Sequence, residues 1–171
     1  MFLLNSQQIT EEKDNEGGSL KIGSFNEVRL HHTFYYIALG RDIERQGKTS
    51  EWCAEKLGND VPLRIDPGEC VRVCSLESFT LKARVMGILG STSTLAQKGV
   101  ALLHGSFIDP LYPPPEGGRQ VLTAPLRMAL VNHGRFAVDL QWGEEVIAKV
   151  SFFDTTDTYP VSLEKPWLKQ D

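Results

Sequence analysis

Ser91-Thr92-Ser93-Thr94, followed by Leu95-Ala96-Gln97-Lys98-Gly99, sets four hydroxyl side chains in succession ahead of a short apolar turn and a glycine. A helix starting here leaves its first backbone N–H groups without intrahelical partners, so amides and hydroxyls together can cradle an anion such as phosphate. The commoner use of the same residues is a plain N-cap, and both readings stand at this point. His104 reads as a satisfied, half-buried histidine in preference to a catalytic one. His31 and His32 are adjacent, so on a strand they point to opposite faces and make no paired metal site. Cys53, Cys70 and Cys74 are odd in number and lack paired CxxC spacing, which reads as buried free thiols in a reducing cytosol, with no metal centre.

The elements that must position these groups are short strands. The chain has 171 residues, 41% apolar and 23% charged, with a net charge of −4. This is the composition of a single globular domain spanning 1–171. Duplex nucleic acid normally meets a basic face, so it is not an expected partner. No apolar run approaches the ~20 residues that cross a bilayer, and Met1-Phe2-Leu3-Leu4 lacks the basic flank of a signal peptide. A cytoplasmic location and no membrane contact are expected.

Residues 10–18 form a polar run expected on the surface, as a solvated helix face or loop. Residues 27–39 carry the aromatic and β-branched residues of a strand, and 41–60 reads as a loop or excursion over the surface. Asp66-Pro67-Gly68-Glu69 is a turn, since proline presets φ and glycine accepts the positive φ that follows. Further strands are expected over 70–75, 79–89, 100–103, 107–108, 127–131, 137–140 and 146–153. Turns at Asn132-His133-Gly134 and Gln141-Trp142-Gly143-Glu144 place glycine where a hairpin wants left-handed geometry. Residues 93–98 are the one modest helix candidate along this series. Residues 154–171 form a polar tail whose Trp167 could dock on a neighbour. The pattern predicts a mainly β chain, a distorted barrel or jelly roll with one or two short helices.

Four ordered blocks resemble the dCTP deaminase/dUTPase family. Ser93, Leu95, Ala96 and Gly99, with Thr94 as a near match, are similar to G-R-S-S-L-A-R-x-G of the deaminases and R-S-G-L-A of the dUTPases. Ile108-Asp109-Pro110 with Tyr112 resembles I-D-P and I-D-x-x-Y. Residues 128–134 are similar to L-E-L-x-N-x-G, and 140–152 to L-x-P-G-x-x-I-G-Q-L-x-F. Upstream, 67–77 resembles P-G-E-f-x-L-x-x-x-x-E, and 35–40 resembles S-Y-D-L-R-L-G. The resemblance implies a dUTPase-like jelly roll forming a homotrimer with active sites shared between subunits. The ligand it implies is a pyrimidine dNTP held as its Mg²⁺ complex.

Residue by residue, the resemblance places Ser91, Thr92, Ser93, Thr94, Gln97, Lys149 and Tyr112 at the nucleotide, with Lys98 as a further cation. It makes Asp109 the catalytic candidate, orienting the attacking water and contacting the sugar hydroxyl. An Asp capping the turn before Pro110 is the competing reading. His104, Arg127, Ala129 and His133 are the remaining pocket candidates. Several family side chains are replaced. Ala129 stands where the deaminases carry the glutamate that moves protons between water and the base, a task alanine cannot perform. Thr92 and Gln97 replace two arginines, and Lys149 replaces a glutamine. The run from Gly99 to Ile108 is one residue short, and 113–119 forms an insertion in which Glu116 is an extra carboxylate. The expectation is therefore a chain that acts on or binds pyrimidine dNTPs, with deamination doubtful. The alternative is a non-catalytic nucleotide sensor or an oligomeric scaffold of the same fold.

Overall fold

Strict alternation builds the strand on which much of the fold rests. In residues 70–81, Val71, Val73, Ser75, Glu77, Phe79 and Leu81 turn inward while the residues between them face out, the period-2 pattern of a half-buried sheet. The computed structural model describes residues 1–15, 17–47, 50–114 and 122–156. In chain order the strands are β1 (Phe2–Leu3), β2 (Leu20–Gly23), β3 (Leu30–His31), β4 (Phe34–Gln46), β5 (Trp52–Lys56), β6 (Leu63–Ile65), β7 (Cys70–Leu81) and β8 (Val85–Gly90). They continue with β9 (Val100–Leu103), β10 (Phe107–Ile108), β11 (Ala124–Asn132), β12 (Val138–Leu140) and β13 (Val146–Asp154). Helices α1 (Ser6–Asp14) and α2 (Ser93–Gln97) are short, and a 3-10 turn covers Glu27–Arg29.

Eleven strands form one antiparallel sheet whose main path runs β10-β8-β13-β4-β7-β11-β9, with β12 and β6 paired separately. The mainly β jelly-roll expectation holds. β4 passes close to β7 at Gly40, where a Cβ would sit 2.7 Å from the Ser75 carbonyl oxygen and 2.9 Å from that of Cys74. Pairing of β4 with β7 shifts register between Leu39 and Ile43 around this point. The first half of β4 therefore pairs with β13, and the second half with β5 and β7. Tyr35, Ile37, Leu39, Phe79, Leu81, Leu130, Val150 and Phe152 are among the side chains that fill the concave side.

Several local expectations need correction. Residues 41–60 are no loose excursion: β4 continues to Gln46 and returns as β5, registering Asp42 with Lys56 and Gln46 with Trp52. Ile43 beneath the polar residues anchors the hairpin. The two strands expected at 70–75 and 79–89 are one strand, β7, ending at Leu81, and then β8. Residues 10–14, read as a helix face or loop, need no such correction: they are the second half of α1, whose Asn5 cap and buried Ile9 set its start and orientation. Of the turn glycines, Gly68 and Gly143 have positive φ (78° and 79°), whereas Gly134 does not. Cys53 is exposed, and Cys70 and Cys74 are half-buried, so the thiols are free but not all buried. Most of the 113–119 insertion and of the 154–171 tail, with Glu116 and Trp167, lies outside the described residues.

Two charged groups are built into the interior. Glu77, fully buried, accepts from Arg29 Nη1 at 2.6 Å and from the Ala38 amide at 3.0 Å. The Tyr35 hydroxyl lies 3.4 Å from it, and burial, with Glu77 adding to it, pushes that phenol up to about 12. At the end of β13, Asp154 accepts from Arg84 at 3.1 Å and from the Thr156 amide at 2.8 Å. Burial alone would raise the Asp154 carboxyl, but the Thr156 hydrogen bonds and the Arg84 guanidinium outweigh it and hold the group below its ordinary value.

A depressed carboxyl stabilises the fold fully above the unfolded pKa of ~3.9 and loses that contribution as pH falls through the folded value. Asp154→Asn is therefore expected to lower the thermal midpoint at pH 6, with the gap from the parent closing below about pH 4. A gap independent of pH would contradict this assignment.

Candidate functional site

The residues singled out for chemistry fall into two places. The first is an open groove bordered by β2, β10 and the start of β11, whose lining includes His104, Asp109, Tyr112 and Arg127. Asp109 directly follows β10 and is exposed, and no hydrogen bond or ion pair engages its carboxylate among the described residues. The turn-capping reading of Asp109 is therefore not what its side chain does. Two residues on, Leu111 has φ 71°, a left-handed conformation that costs a non-glycine residue about 1–2 kcal/mol. Tyr112 closes this turn by donating from its hydroxyl to the Pro125 carbonyl at 2.6 Å, and burial raises its phenol. His104 is half-buried and contacts the Gly105 carbonyl through Nδ1. Phe107, Leu111 and Leu122 are exposed apolar side chains along the same groove.

The second place is the strip formed by β4, β13 and β8 on the outer face. Lys149 registers with Tyr36 on one side and with Gly90 on the other. The hydroxyl row begins at the next residue. Thr92 is the N-cap of α2, its Oγ1 accepting from the Leu95 amide at 3.3 Å, so the plain-cap reading holds for this residue. Ser91, Ser93, Thr94 and Gln97 are exposed around it. With five residues, α2 is too short to add much of a dipole. Lys98 is committed elsewhere, its Nζ lying 2.8 Å from both carboxylate oxygens of Glu145. Lys149 has no carboxylate partner among the described residues. Its ammonium lies 5.5 Å from the Phe34 ring centroid.

Within one chain these places stay apart. Ile108 pairs with Gly87 near the start of β8, while Ser91 follows that strand's last residue. At about 3.3 Å per residue the separation is roughly 15 Å. Arg127 and Ala129 share a face of β11, but His133 lies past the strand's last residue, in the turn where its amide donates to the Gly99 carbonyl at 2.9 Å, so the three do not cluster. Ala129 registers with Arg72 and Leu103 and shares a recess with Asp42 and Glu44. Those carboxylates already pair with Lys56 at 3.5 Å and Arg72 at 3.2 Å. No group of three or more His, Cys, Asp or Glu side chains among the described residues could hold a metal ion. No described helix is long and apolar enough to cross a membrane.

Sequence reasoning missed the ring cluster beside Lys149. His31 stacks on Phe34 at 5.2 Å and meets Tyr36 edge-on at 4.8 Å, and Phe34 meets Tyr36 at 5.0 Å. The available signal was the spacing of Phe34 and Tyr36, which puts both on one strand face.

No protein-family model matches the sequence, and no curated protein matches it. The structure is similar to that of 2'-deoxycytidine 5'-triphosphate deaminase from Agrobacterium tumefaciens, with a TM-score of 0.66 and 14% identity. That match covers 88% of this chain and 48% of the other, so the chain spans about half the length of that protein. Lesser likenesses are to the EIAV dUTPase (TM-score 0.42, 13% identity, 81% of this chain and 98% of that one) and the Staphylococcus bacteriophage 80alpha dUTPase (0.43, 12%, 72% and 87%). The first of these likenesses gives the chain a dCTP deaminase-like fold.

Proposed function

We propose that this chain binds pyrimidine deoxynucleoside triphosphates between copies of itself, in a homotrimer, and does not deaminate them. The observation that carries the non-deaminating part is Ala129. By the sequence resemblance it takes the place of the proton-transferring glutamate, and the carboxylates that share its recess, Asp42, Glu44 and Glu55, are each held in ion pairs. The observation that favours a shared site is the roughly 15 Å of strand between Asp109 and the hydroxyl row. One copy supplies Ser91, Ser93, Thr94, Gln97 and Lys149 to the phosphates, and a neighbour supplies Asp109 and Tyr112 to the sugar. Mg²⁺ arrives on the nucleotide, bound by its phosphate oxygens, as is usual for this ion. The protein's own contribution is positioning, with Asp109 left to orient water for any attack on the α-phosphate, which breaks the α–β phosphoanhydride and releases the nucleoside monophosphate and pyrophosphate.

The experiment is a thermal-shift titration with dCTP, dUTP and dTTP, each with Mg²⁺, run beside ammonia and pyrophosphate assays. At least one nucleotide is expected to raise the midpoint. A ligand at a hundred times its Kd adds about 2.7 kcal/mol. No ammonia is expected from dCTP, and robust release would refute the non-deaminating reading. Any pyrophosphate release should vanish in Asp109→Asn. Absence of a shift with all three nucleotides would instead leave an oligomeric scaffold as the function of this fold.

A further inference from the structure

We infer that His31, Phe34 and Tyr36 form a stacking platform for the base of the bound nucleotide, with Lys149 reaching the phosphates beside it. The inference rests on the nucleotide-binding reading above and names the surface that holds the base. None of the three rings belongs to the hydroxyl row or to the Asp109 groove.

Three rings from two strands gather on one outer face. His31 pairs with Phe34 across the β3–β4 turn, and alternation along β4 puts Tyr36 on the same side. Phe34 and Tyr36 are half-buried and His31 is exposed, so the cluster keeps a ring open to solvent. Such a grouping on the outside of a sheet contributes little to the core, which is filled from the opposite face by Tyr35 and Ile37.

The neighbouring charge decides what kind of molecule fits. Lys149 lies across the strand pair from Tyr36 with no ion-pair partner among the described residues. Its stem passes over Gly90, where a Cβ would come within 3.2 Å of the Lys149 Cε. Glycine at 90 leaves that path open, and the ammonium lies 5.5 Å from the Phe34 ring centroid. From Tyr36 across β13 to Ser91 is about two strand spacings, on the order of 10 Å. The order along this line is ring, cation, hydroxyls. A ligand matching it carries a flat aromatic group at one end and anionic oxygens at the other, as a nucleotide does. Base–aromatic stacking is tolerant of base identity because every base has a π-face, so the platform holds the base without reading it.

The test compares dCTP, dUTP and dTTP with inorganic tripolyphosphate on the full chain, by calorimetric titration. His31→Ala and Tyr36→Ala are expected to weaken nucleotide binding by about tenfold or more while leaving tripolyphosphate unchanged. Tyr36→Phe keeps the ring and should bind as the parent does. Lys149→Gln should weaken nucleotide and tripolyphosphate alike. His31 is exposed, so its variant keeps the test open if Tyr36→Ala does not fold. If the parent binds a nucleotide and the His31 and Tyr36 variants bind it equally well, the platform is refuted while the nucleotide reading survives. If the parent binds none of the nucleotides, both fail.

Discussion

Glu77→Gln is expected to destabilise the fold by about 3 kcal/mol, the lower end of the cost of removing one partner from a buried ion pair. The loss arises from what remains. Arg29 keeps its charge, with its side chain 14% exposed, while its Nη2 still donates to the Gly143 carbonyl. The Ala38 amide and the Tyr35 hydroxyl also lose a charged acceptor, and the carboxamide NH₂ presents a donor to groups that already donate. The double variant Arg29→Met with Glu77→Leu should recover most of the stability, because replacing both charges by apolar groups of similar volume removes the stranded cation. Urea denaturation reads both changes through the midpoint at constant slope. A single-variant cost below about 1 kcal/mol would show that water already satisfies Arg29.

Asn132→Ala should cost a similar amount, about 3 kcal/mol, through hydrogen bonds instead of charge. The side chain is fully buried at the end of β11. Its Nδ2 donates to the Ile65 carbonyl at 2.9 Å and the Phe136 carbonyl at 2.8 Å, and its Oδ1 accepts from the Gly134 amide at 2.8 Å. One residue thereby ties β6, the approach to β12 and the turn after β11. Alanine leaves two carbonyls and an amide unpartnered in a site that water enters poorly, each costing about 1–3 kcal/mol before relaxation. Faster hydrogen exchange at Gly134 and along β6–β12 should accompany the loss, with β7 still protected. Uniform loss of protection would mean that Asn132 supports the whole sheet and not this corner.

Neither residue's full role was legible from local pattern. Asn132 stood in a turn signal and in a family-like block, but its partners come from β6 and from beyond the turn. Glu77 sits at an inward position of β7, where period-2 alternation alone calls for an apolar side chain. Its counter-ion is Arg29, 48 residues away. A sequence window cannot show that pairing, because it depends on which strands become neighbours.

The sequence by itself determined the β character of the chain, its turns at Gly68 and Gly143, the short helix capped by Thr92, and the absence of a glutamate at position 129. Each follows from information carried within a few residues: alternation with period 2, the φ range open to glycine, the reach of a capping hydroxyl. Only the tertiary structure decided the rest. It carried β4 through Gly40 into a hairpin, because only a residue without Cβ lets that backbone approach Ser75 so closely. It engaged Lys98 with Glu145, left Lys149 as the cation beside the hydroxyls, and gathered His31, Phe34 and Tyr36 next to it. It also set Asp109 and the hydroxyl row on different parts of one chain. Charges and rings act through space, and the distances between them are fixed by strand register across the sheet, which short-range pattern does not encode.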